Sequence, residues 1–336
     1  MASDTLDKAQ AGDLLRTMWR IRLFEEAVED LYGRGMMHGT MHLSIGQEAV
    51  PTGACVTLRE GDQITSTHRG HGHAIAKGAD LGLAMAELLA RENGYCKGRG
   101  GSMHIADVAT GNLGANGIVG GGLPIAAGAG LSNKMRGTDQ VCLCFHGDGS
   151  VGEGAWHEAL TLASMWDLPV VFICENNKYG MSMPSEKAFK VDFLSEKAAA
   201  YGMPGETVDG NDVEAVAEVV QRAVDRARAG EGPTFIEALT YRWRGHSKSD
   251  KNLYRSKEEI AEWKERCPIA RFCHKMLEEG VLEQADINQA QVDVRTEIRA
   301  AVVFGTQGAE PTVEAMLAGV YAPSPVDYQD ILKGLN

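Results

Sequence analysis

The chain begins with hydrophobic positions at helical spacing. Within residues 13–32 the apolar side chains recur every three or four positions, at Leu14, Met18, Ile21, Phe24, Val28 and Leu31. This period predicts an amphipathic helix, for which Asp13 is a candidate N-cap. A polar turn follows, and the next helix is predicted to begin near Gln47.

The middle of the chain alternates between continuous apolar runs and helical patterns. The predicted strands lie within residues 58–67, 140–149, 167–177, 205–210 and 233–243, and the predicted helices within residues 152–166 and 211–228. A continuous apolar run between turns is typical of a parallel strand that is buried on both faces. The alternation therefore predicts the α/β fold class, with a mostly parallel sheet flanked by helices.

The pattern also divides the chain. Residues 45–265 are predicted to form the α/β domain, between a helical extension over residues 1–44 and a helical region over residues 266–336. Residues 94–137 hold thirteen glycines in 44 positions, with apolar residues interspersed among them. A flexible linker would be uniformly polar, so this segment is expected to be ordered and to bring backbone close to a ligand. Residues 244–260 are very polar and predict a loop.

Composition narrows the possible functions. The 336 residues carry a formal net charge of −13 and no basic run, which argues against a nucleic-acid partner. No apolar run approaches the roughly 20 residues of a membrane span, and the polar N-terminus lacks the pattern of a signal peptide. The seven cysteines form no CxxC pair and no disulfide framework, so they are expected to be reduced thiols. These features predict a soluble, cytoplasmic protein.

The segment CLCFHGDGSVGEG, residues 142–154, has two interpretations. Its GxGxxG pattern, which begins at Gly147, is the fingerprint of a nicotinamide or flavin dinucleotide site, and Glu175 after the next strand would then bind the ribose. However, Asp148 would place a carboxylate beside the pyrophosphate. Two such anions repel unless a cation lies between them.

A magnesium site accounts for more of these residues. Asp148 and Asn177 follow neighbouring parallel strands, so they would lie side by side at the carboxyl edge of the sheet, where α/β folds bind ligands. Carboxylate, neutral oxygen and phosphate are the ligands that Mg²⁺ prefers. The helix predicted to begin near Gly152 points its N–H groups at the same place. The sequence therefore favours a metal-bridged diphosphate over a dinucleotide.

Several motifs resemble those of a known family. Gly-Asp-Gly, 26 intervening residues and Asn-Asn are similar to the diphosphate-binding motif of thiamine diphosphate enzymes. HLSIGQEA, STHRGHGHAIAKG, KGRGGSMHIAD, LGANGIVGGGLPIAAG, ENNKYGMS and YRWRGHSKSD resemble the alpha subunit of the decarboxylating component of 2-oxo acid dehydrogenase complexes, from about residue 13 to residue 330. Acetoin dehydrogenase members are the most similar, and pyruvate dehydrogenase members are the close rival.

The resemblance implies the thiamine diphosphate-binding fold, with thiamine diphosphate and Mg²⁺ as cofactors. It places Mg²⁺ on Asp148, Asn177 and the main-chain oxygen of Tyr179. The residues implied to bind the diphosphate are Arg69, His68, Gly147, Gly149, Ser150 and His246. The planar donor fork of an arginine suits a phosphate. His68 replaces a tyrosine that many members of the family have beside this arginine.

The resemblance also implies contacts with the rest of the cofactor and with the substrate. Gly117 and Val119 match main-chain contacts to the aminopyrimidine ring, and Val119 matches the wedge that keeps the cofactor bent. His42, His68 and His246 are the catalytic candidates; His42 matches a position near the substrate and the lipoyl group. His42 and His246 also fit plain structural roles, at a helix start and on a solvated loop.

Other positions are expected to carry no ligand or modification. His68, His71 and His73 have a spacing like that of a metal cluster but lack a fourth ligand nearby, so no metal is expected on them. Ser247 matches a position that is phosphorylated in mitochondrial relatives and is expected to be unmodified here. The potassium ligands of branched-chain relatives align with the glycines at 121–122, so that ion is not expected either.

The implied reaction needs a second chain. The cofactor would cleave acetoin and release acetaldehyde, and the remaining two-carbon unit would pass to a lipoyl-bearing acyltransferase; pyruvate would instead lose CO₂. A carboxylate must contact the aminopyrimidine, but no second βαβ series remains in this chain. The resemblance therefore implies a beta subunit that supplies this glutamate in an α2β2 assembly.

The RGHSKSDKNLYR segment of the polar loop, residues 244–255, would close over the diphosphate and become ordered on binding. Two other interpretations stay open at this point: a nicotinamide-dependent reductase and a regulatory subunit without activity.

Overall fold

The computed structural model describes residues 6–318 and 320. Its strands are β1 (Gln63–Thr65), β2 (Cys142–Gly147), β3 (Val170–Asn176), β4 (Tyr179–Gly180), β5 (Met183–Pro184), β6 (Gly205–Asp209) and β7 (Thr234–Leu239). Its α-helices are α1 (Lys8–Gly33), α2 (Ala49–Cys55), α3 (His71–Ala76), α4 (Leu81–Leu88), α5 (Gly122–Arg136), α6 (Gly154–Met165), α7 (Ser185–Ala188), α8 (Val213–Arg228), α9 (Lys257–Glu265), α10 (Pro268–Glu278), α11 (Gln284–Gln307) and α12 (Val313–Ala318).

Five of the strands form a parallel sheet in the order β1-β2-β3-β7-β6, and β4 pairs with β5 as a short antiparallel hairpin. Successive residues of a strand point to opposite faces of the sheet. On β2, Cys142 and Cys144 pack in the cluster that includes α5 and α6, whereas Leu143 and Phe145 pack in the cluster that includes α2 and α8. Both faces are therefore buried, and the predicted α/β class with a parallel sheet between helices is confirmed.

The first helix begins earlier than the sequence pattern predicts. Its N-cap is Asp7, whose side chain accepts a hydrogen bond from the N–H of Gln10 while the Gln10 side chain accepts one from the N–H of Asp7. This reciprocal arrangement is a strong N-terminal signal. The prediction of Asp13 as N-cap is wrong, because Asp13 lies inside the helix and bonds to Arg16.

The terminal helices pack on one another: α1 contacts α10 and α11, and α11 contacts α4. The division of the chain at residues 44 and 265 stays a prediction, and the parts of the predicted terminal regions at residues 1–5 and 321–336 lie outside the described residues. Across the described part of the chain, no helix has the length and apolar character needed to span a bilayer.

The glycine-rich segment is tied to α4 by one carboxylate. Glu87 is fully buried, and its two oxygens accept hydrogen bonds of 2.7 to 2.9 Å from the N–H groups of Cys96, Gly98, Gly100 and Gly101. Hydrogen bonds to an ionised acceptor are among the stronger ones in proteins. This network explains how a chain with so little regular structure keeps a defined path before α5 begins.

Candidate active site

A cavity of about 490 Å³ opens at the carboxyl edge of the sheet. Every residue that the sequence resemblance assigned to the site lines this cavity. These residues are His42, His68, Arg69, Gly117, Val119, Gly147, Asp148, Gly149, Ser150, Asn177, Tyr179 and His246. They come from six separate stretches of the chain, so the fold brings them together at one place.

Parallel pairing explains why two of the predicted metal ligands lie at the same edge. The register of β2 and β3 sets Gly147 opposite Glu175. Asp148 is the first residue after β2, and Asn177 is the first residue after β3. Parallel strands end at the same edge of their sheet, which is where ligands bind in this class of fold.

Asp148 is buried with an unsatisfied oxygen. The residue is 2% exposed, and its Oδ2 atom has no hydrogen-bond partner among the residues that the structure describes. Burial raises the pKa of Asp148 to about 6, although the nearby Arg242 guanidinium acts to lower it. A buried acceptor without a partner is rare in folded proteins and often marks a ligand site. A divalent cation would satisfy this oxygen.

The other two predicted metal ligands share a single donor. Nη1 of Arg242 donates to Oδ1 of Asn177 at 2.9 Å and to the main-chain oxygen of Tyr179 at 2.6 Å. These two oxygens are therefore close together, beside the edge that carries Asp148. One carboxylate and two neutral oxygens form a hard donor set that suits Mg²⁺.

The turn after β2 approaches the β4–β5 hairpin closely. Residues 148–152 form a 3-10 turn, so α6 begins at Gly154, two residues after the predicted start. A Cβ atom on Gly149 would lie 3.1 Å from the Cα atom of Gly180, which is tighter than ordinary contacts. The hydroxyl of Ser150 donates to the main-chain oxygen of Gly147 at 2.7 Å and thereby holds the turn together.

Arg69 supplies a buried positive charge. It is 4% exposed and donates to the main-chain oxygens of Leu43 and His246, but it forms no ion pair within the described part of the chain. Burial and the charge of Arg242 lower the pKa of Arg69 to about 9. A buried cation without a carboxylate is costly, and a diphosphate at this point would compensate for the cost. The cavity thus fits both an anion and the cation that bridges it.

The imidazole rings of three histidines lie close together, next to the charge of Arg69. Ring nitrogens of His42, His68 and His246 all lie within 4.8 Å of one another. Burial, together with the charge of Arg69, lowers their pKa values to about 2, 3 and 4 respectively, so the rings are neutral at neutral pH. The same positive field disfavours a metal cation on them. The three rings are instead suited to hydrogen bonding with a neutral or anionic group.

The remaining two histidines of the HRGHGH segment have structural partners. His71 bonds to Glu25 at 2.9 Å and to Ser102 at 2.9 Å. His73 bonds to Ser66 at 2.7 Å, and its Nε2 lies 3.2 Å from a carboxylate oxygen of Glu175. Glu175 is the acid that a dinucleotide site would use for the ribose, so its pairing with His73 weakens that interpretation.

Apolar residues form part of the cavity rim. Val119 is half exposed, and its neighbour Ile118 is 73% exposed. Met181, beyond the β4 strand, is 66% exposed. Gly117 lies in the same rim, where an added Cβ atom would be 3.5 Å from the ring of His104.

The sequence patterns missed Arg242, which also lines the cavity. The apolar run at 233–243 predicts a strand throughout, but β7 ends at Leu239 and the following residues turn towards the site. The sequence signal that could have pointed to it is a charged residue within a run that otherwise predicts a buried strand.

Comparisons with known proteins agree with this geometry. The family described as "Dehydrogenase E1 component" matches residues 16–314. The alpha subunit of acetoin:2,6-dichlorophenolindophenol oxidoreductase from Bacillus subtilis (strain 168) is 46% identical over 319 residues, which cover 94% of this chain and 95% of that protein. The corresponding subunit from Cupriavidus necator is 40% identical over 317 residues, with the same coverage of 94% and 95%.

A third relative is named for a different activity. The pyruvate dehydrogenase E1 component subunit alpha from Rhizobium meliloti (strain 1021) is 39% identical over 306 residues, covering 91% of this chain and 88% of that protein. These matches extend over nearly the whole chain and confirm the family resemblance of the motifs. The chain belongs to the dehydrogenase E1 component family, whose members are thiamine diphosphate-dependent oxidoreductases.

Proposed function

We propose that this chain is the alpha subunit of an enzyme that cleaves acetoin, releases acetaldehyde and passes the two-carbon unit to a lipoyl-bearing acyltransferase. The observation that carries the proposal is the cavity, which unites the buried carboxylate of Asp148 with the unpaired guanidinium of Arg69. The choice of acetoin is supported by the two acetoin oxidoreductase relatives, which are 46% and 40% identical.

In this proposal, the chain itself holds the polar half of the cofactor. Asp148, the Asn177 amide and the main-chain oxygen of Tyr179 bind Mg²⁺. Arg69 and the turn at residues 147–150 bind the diphosphate, and His246 reaches it from the loop. Bound thiamine diphosphate supplies a carbanion and an electron sink, which are the chemistry that cleavage beside a carbonyl requires.

The other assigned residues orient the reacting groups. Gly117 and Val119, which line the cavity, would contact the aminopyrimidine ring, and the apolar Val119 side chain would help to hold the cofactor bent. His42 and His68 are neutral, so each can donate or accept a hydrogen bond at the substrate oxygens without adding charge. A neutral pair of this kind suits acetoin, which has a carbonyl and a hydroxyl but no carboxylate.

A beta subunit completes the site. The apolar rim residues Ile118, Val119 and Met181 leave an exposed hydrophobic margin around the cavity, and such margins are typical of surfaces that another chain covers. We propose that the covering chain is a beta subunit, that the two form an α2β2 assembly, and that the beta subunit supplies the carboxylate for the aminopyrimidine. A lipoyl-bearing acyltransferase would then accept the product.

A second candidate substrate is pyruvate, which is favoured by the 39% identical Rhizobium meliloti relative. The test is to co-express this chain with a beta subunit and to compare acetoin, pyruvate and branched 2-oxo acids with an artificial electron acceptor. The proposal expects the highest kcat/KM for acetoin, and dependence on both thiamine diphosphate and Mg²⁺. A preference for pyruvate would assign the second function instead.

Two control measurements address the other classes of protein. The chain without its beta subunit should show no turnover, and full turnover would contradict the shared active site. Thermal protection by a nicotinamide cofactor, without protection by thiamine diphosphate and Mg²⁺, would favour a reductase. Failure to bind thiamine diphosphate in the assembled complex would favour a regulatory subunit.

A further inference from the structure

Arg242 occupies the centre of a polar network beside the cavity. Its side chain is 1% exposed, and Nη1 donates to the oxygens of Asn177 and Tyr179 described above. Nη2 donates to the main-chain oxygen of Met181 and, at 2.9 Å, to the hydroxyl of Tyr254. One guanidinium thus holds three oxygens of the segment that follows β3 and one hydroxyl of the polar loop.

This position is unusual for a charged group. Arg242 forms no ion pair with a carboxylate among the residues that the structure describes. Removing a guanidinium from water without an opposite charge costs several kcal/mol unless hydrogen bonds or a bound anion compensate for it. Its charge does reach the cavity, because it acts to lower the pKa of Asp148. The location therefore makes sense beside a site that binds an anion.

The network continues from Arg242 into the polar loop. The Tyr254 hydroxyl donates to Oδ2 of Asp250 at 2.6 Å, and the same carboxylate oxygen accepts from the N–H of His246 at 2.7 Å. Arg255 donates to the main-chain oxygen of Arg242 at 2.6 Å. An unbroken series of hydrogen bonds therefore joins the oxygens of Asn177 and Tyr179 to the backbone of His246.

We propose that Arg242 is a positioning residue, which holds the Asn177 and Tyr179 oxygens at the cation site and couples that site to the loop carrying His246. This inference rests on the proposed function, because it takes these oxygens to be metal ligands. In this arrangement, one guanidinium both fixes two ligand oxygens and anchors the loop. Loss of Arg242 weakens metal binding and loosens the loop together.

The experiment uses the assembled alpha–beta enzyme with the variants Arg242→Met and Arg242→Lys. Arg244→Met is the matched control, because Arg244 lies two residues away, at the start of the polar loop, but pairs with Glu29 outside the site. Calorimetric titration with Mg²⁺, at saturating thiamine diphosphate, gives the metal Kd of each variant. Limited proteolysis gives the protection of residues 244–255 by thiamine diphosphate and Mg²⁺.

The expected result is a metal Kd raised by about 10-fold to 100-fold in Arg242→Met, the range known for residues that orient metal ligands. The metal Kd of Arg242→Lys should lie between those of Arg242→Met and the wild type, since one ammonium cannot reproduce the planar set of N–H donors of a guanidinium. Arg244→Met should bind Mg²⁺ like the wild type. Protection of the loop should be lost in Arg242→Met and kept in Arg244→Met.

Each alternative result has a distinct meaning. Wild-type metal binding in Arg242→Met overturns the positioning role, as does an equal loss in Arg242→Met and Arg244→Met. If Arg242→Met does not assemble, Arg242→Lys decides, and wild-type binding by that variant overturns the proposal. Asp148→Asn separates this proposal from the proposed function: if that variant still binds Mg²⁺ normally, the metal site itself is wrong.

Discussion

Replacement of Asp148 by asparagine should have opposite effects on stability and on cofactor binding. Asp148 is 2% exposed, and one of its carboxylate oxygens has no hydrogen-bond partner in the described part of the chain. Asparagine has nearly the same shape but cannot ionise. The variant should therefore lose the cation site while relieving the chain of a buried negative charge.

The size of the expected gain in stability follows from the pKa of Asp148. Burial raises the pKa of Asp148 from 3.8 to about 6. A shift of one pKa unit corresponds to about 1.4 kcal/mol, so the ionised carboxylate destabilises the folded chain by about 3 kcal/mol. Because the pKa in the folded state is the higher one, the penalty grows as the pH rises from about 4 to about 6 and is constant above that. At pH 5 about half of it remains.

The assay is chemical unfolding of the assembled enzyme without thiamine diphosphate or divalent cations. At pH 7.5, Asp148→Asn should raise the free energy of unfolding by about 3 kcal/mol, and the gain should shrink by about half at pH 5. With thiamine diphosphate and Mg²⁺ present, the wild type should have the higher free energy of unfolding, because only the wild type gains stability from binding them. The reasoning is refuted if the variant is no more stable than the wild type at pH 7.5, or if its gain does not depend on pH.

Asp250→Asn is the matched control. Burial acts to raise the pKa of Asp250, but hydrogen bonds from the Tyr254 hydroxyl and from the N–H groups of Asn252 and His246 outweigh it and lower the pKa. The charged form is therefore the favoured one in the folded chain. Its replacement should reduce stability at pH 7.5, the opposite sign to Asp148→Asn.

Three further predictions concern the turn, the imidazoles and the metal. Gly149→Ala should weaken thiamine diphosphate binding at least about tenfold in a calorimetric titration, because the new Cβ atom would lie 3.1 Å from the Cα atom of Gly180. The control variant Gly33→Ala should bind thiamine diphosphate normally, because its Cβ atom would meet nothing within 4 Å. Burial lowers the pKa of His42 to about 2, so the folded chain should lose stability as the pH falls below about 6.5. His42→Gln should lessen this loss by up to about 1.4 kcal/mol per pH unit, which unfolding measurements from pH 7 to pH 5 would show. Removal of divalent cations with a chelator should abolish turnover in the assembled enzyme, and Mg²⁺ should restore it; activity that survives chelation would contradict the metal-bridged site.

The sheet could be predicted from the sequence because its strands carry a strong local signal. β2 reads as a continuous apolar run, since Cys142 faces one helical layer and Leu143 faces the other. The placement of Asp148 beside Asn177 then follows from parallel pairing alone. The clustering of His42 with His246 does not follow from any local pattern, because 203 intervening residues separate them.

Two misses concern where an element begins or ends, which depends in part on distant contacts. The helical period after Asp13 gave no reason to start α1 at Lys8, but Ala11 is buried in the cluster that includes Ile269 and Phe272 of α10. Likewise, Arg242 lies in an apolar run that continues a strand pattern, and only the end of β7 at Leu239 turns it towards the site. The end of β7 is not encoded within a short window of sequence, whereas the start of α1 has a local signal in the Asp7–Gln10 capping box that the apolar period alone did not include.

The charges of the cavity explain why this fold needs its ligands. Within residues 6–318, no carboxylate pairs with the buried cations Arg69 and Arg242, and Asp148 is a buried anion whose pKa is raised because burial outweighs the attraction of Arg242. Each of these groups costs stability in the chain alone, and hydrophobic replacements would remove that cost. In the proposed function, a diphosphate with a bridging cation would give every one of them an opposite charge at once. The selectivity of the site would then come from charges that the complete cofactor satisfies together, since an anion alone would leave Asp148 opposed and a cation alone would leave the arginines unpaired.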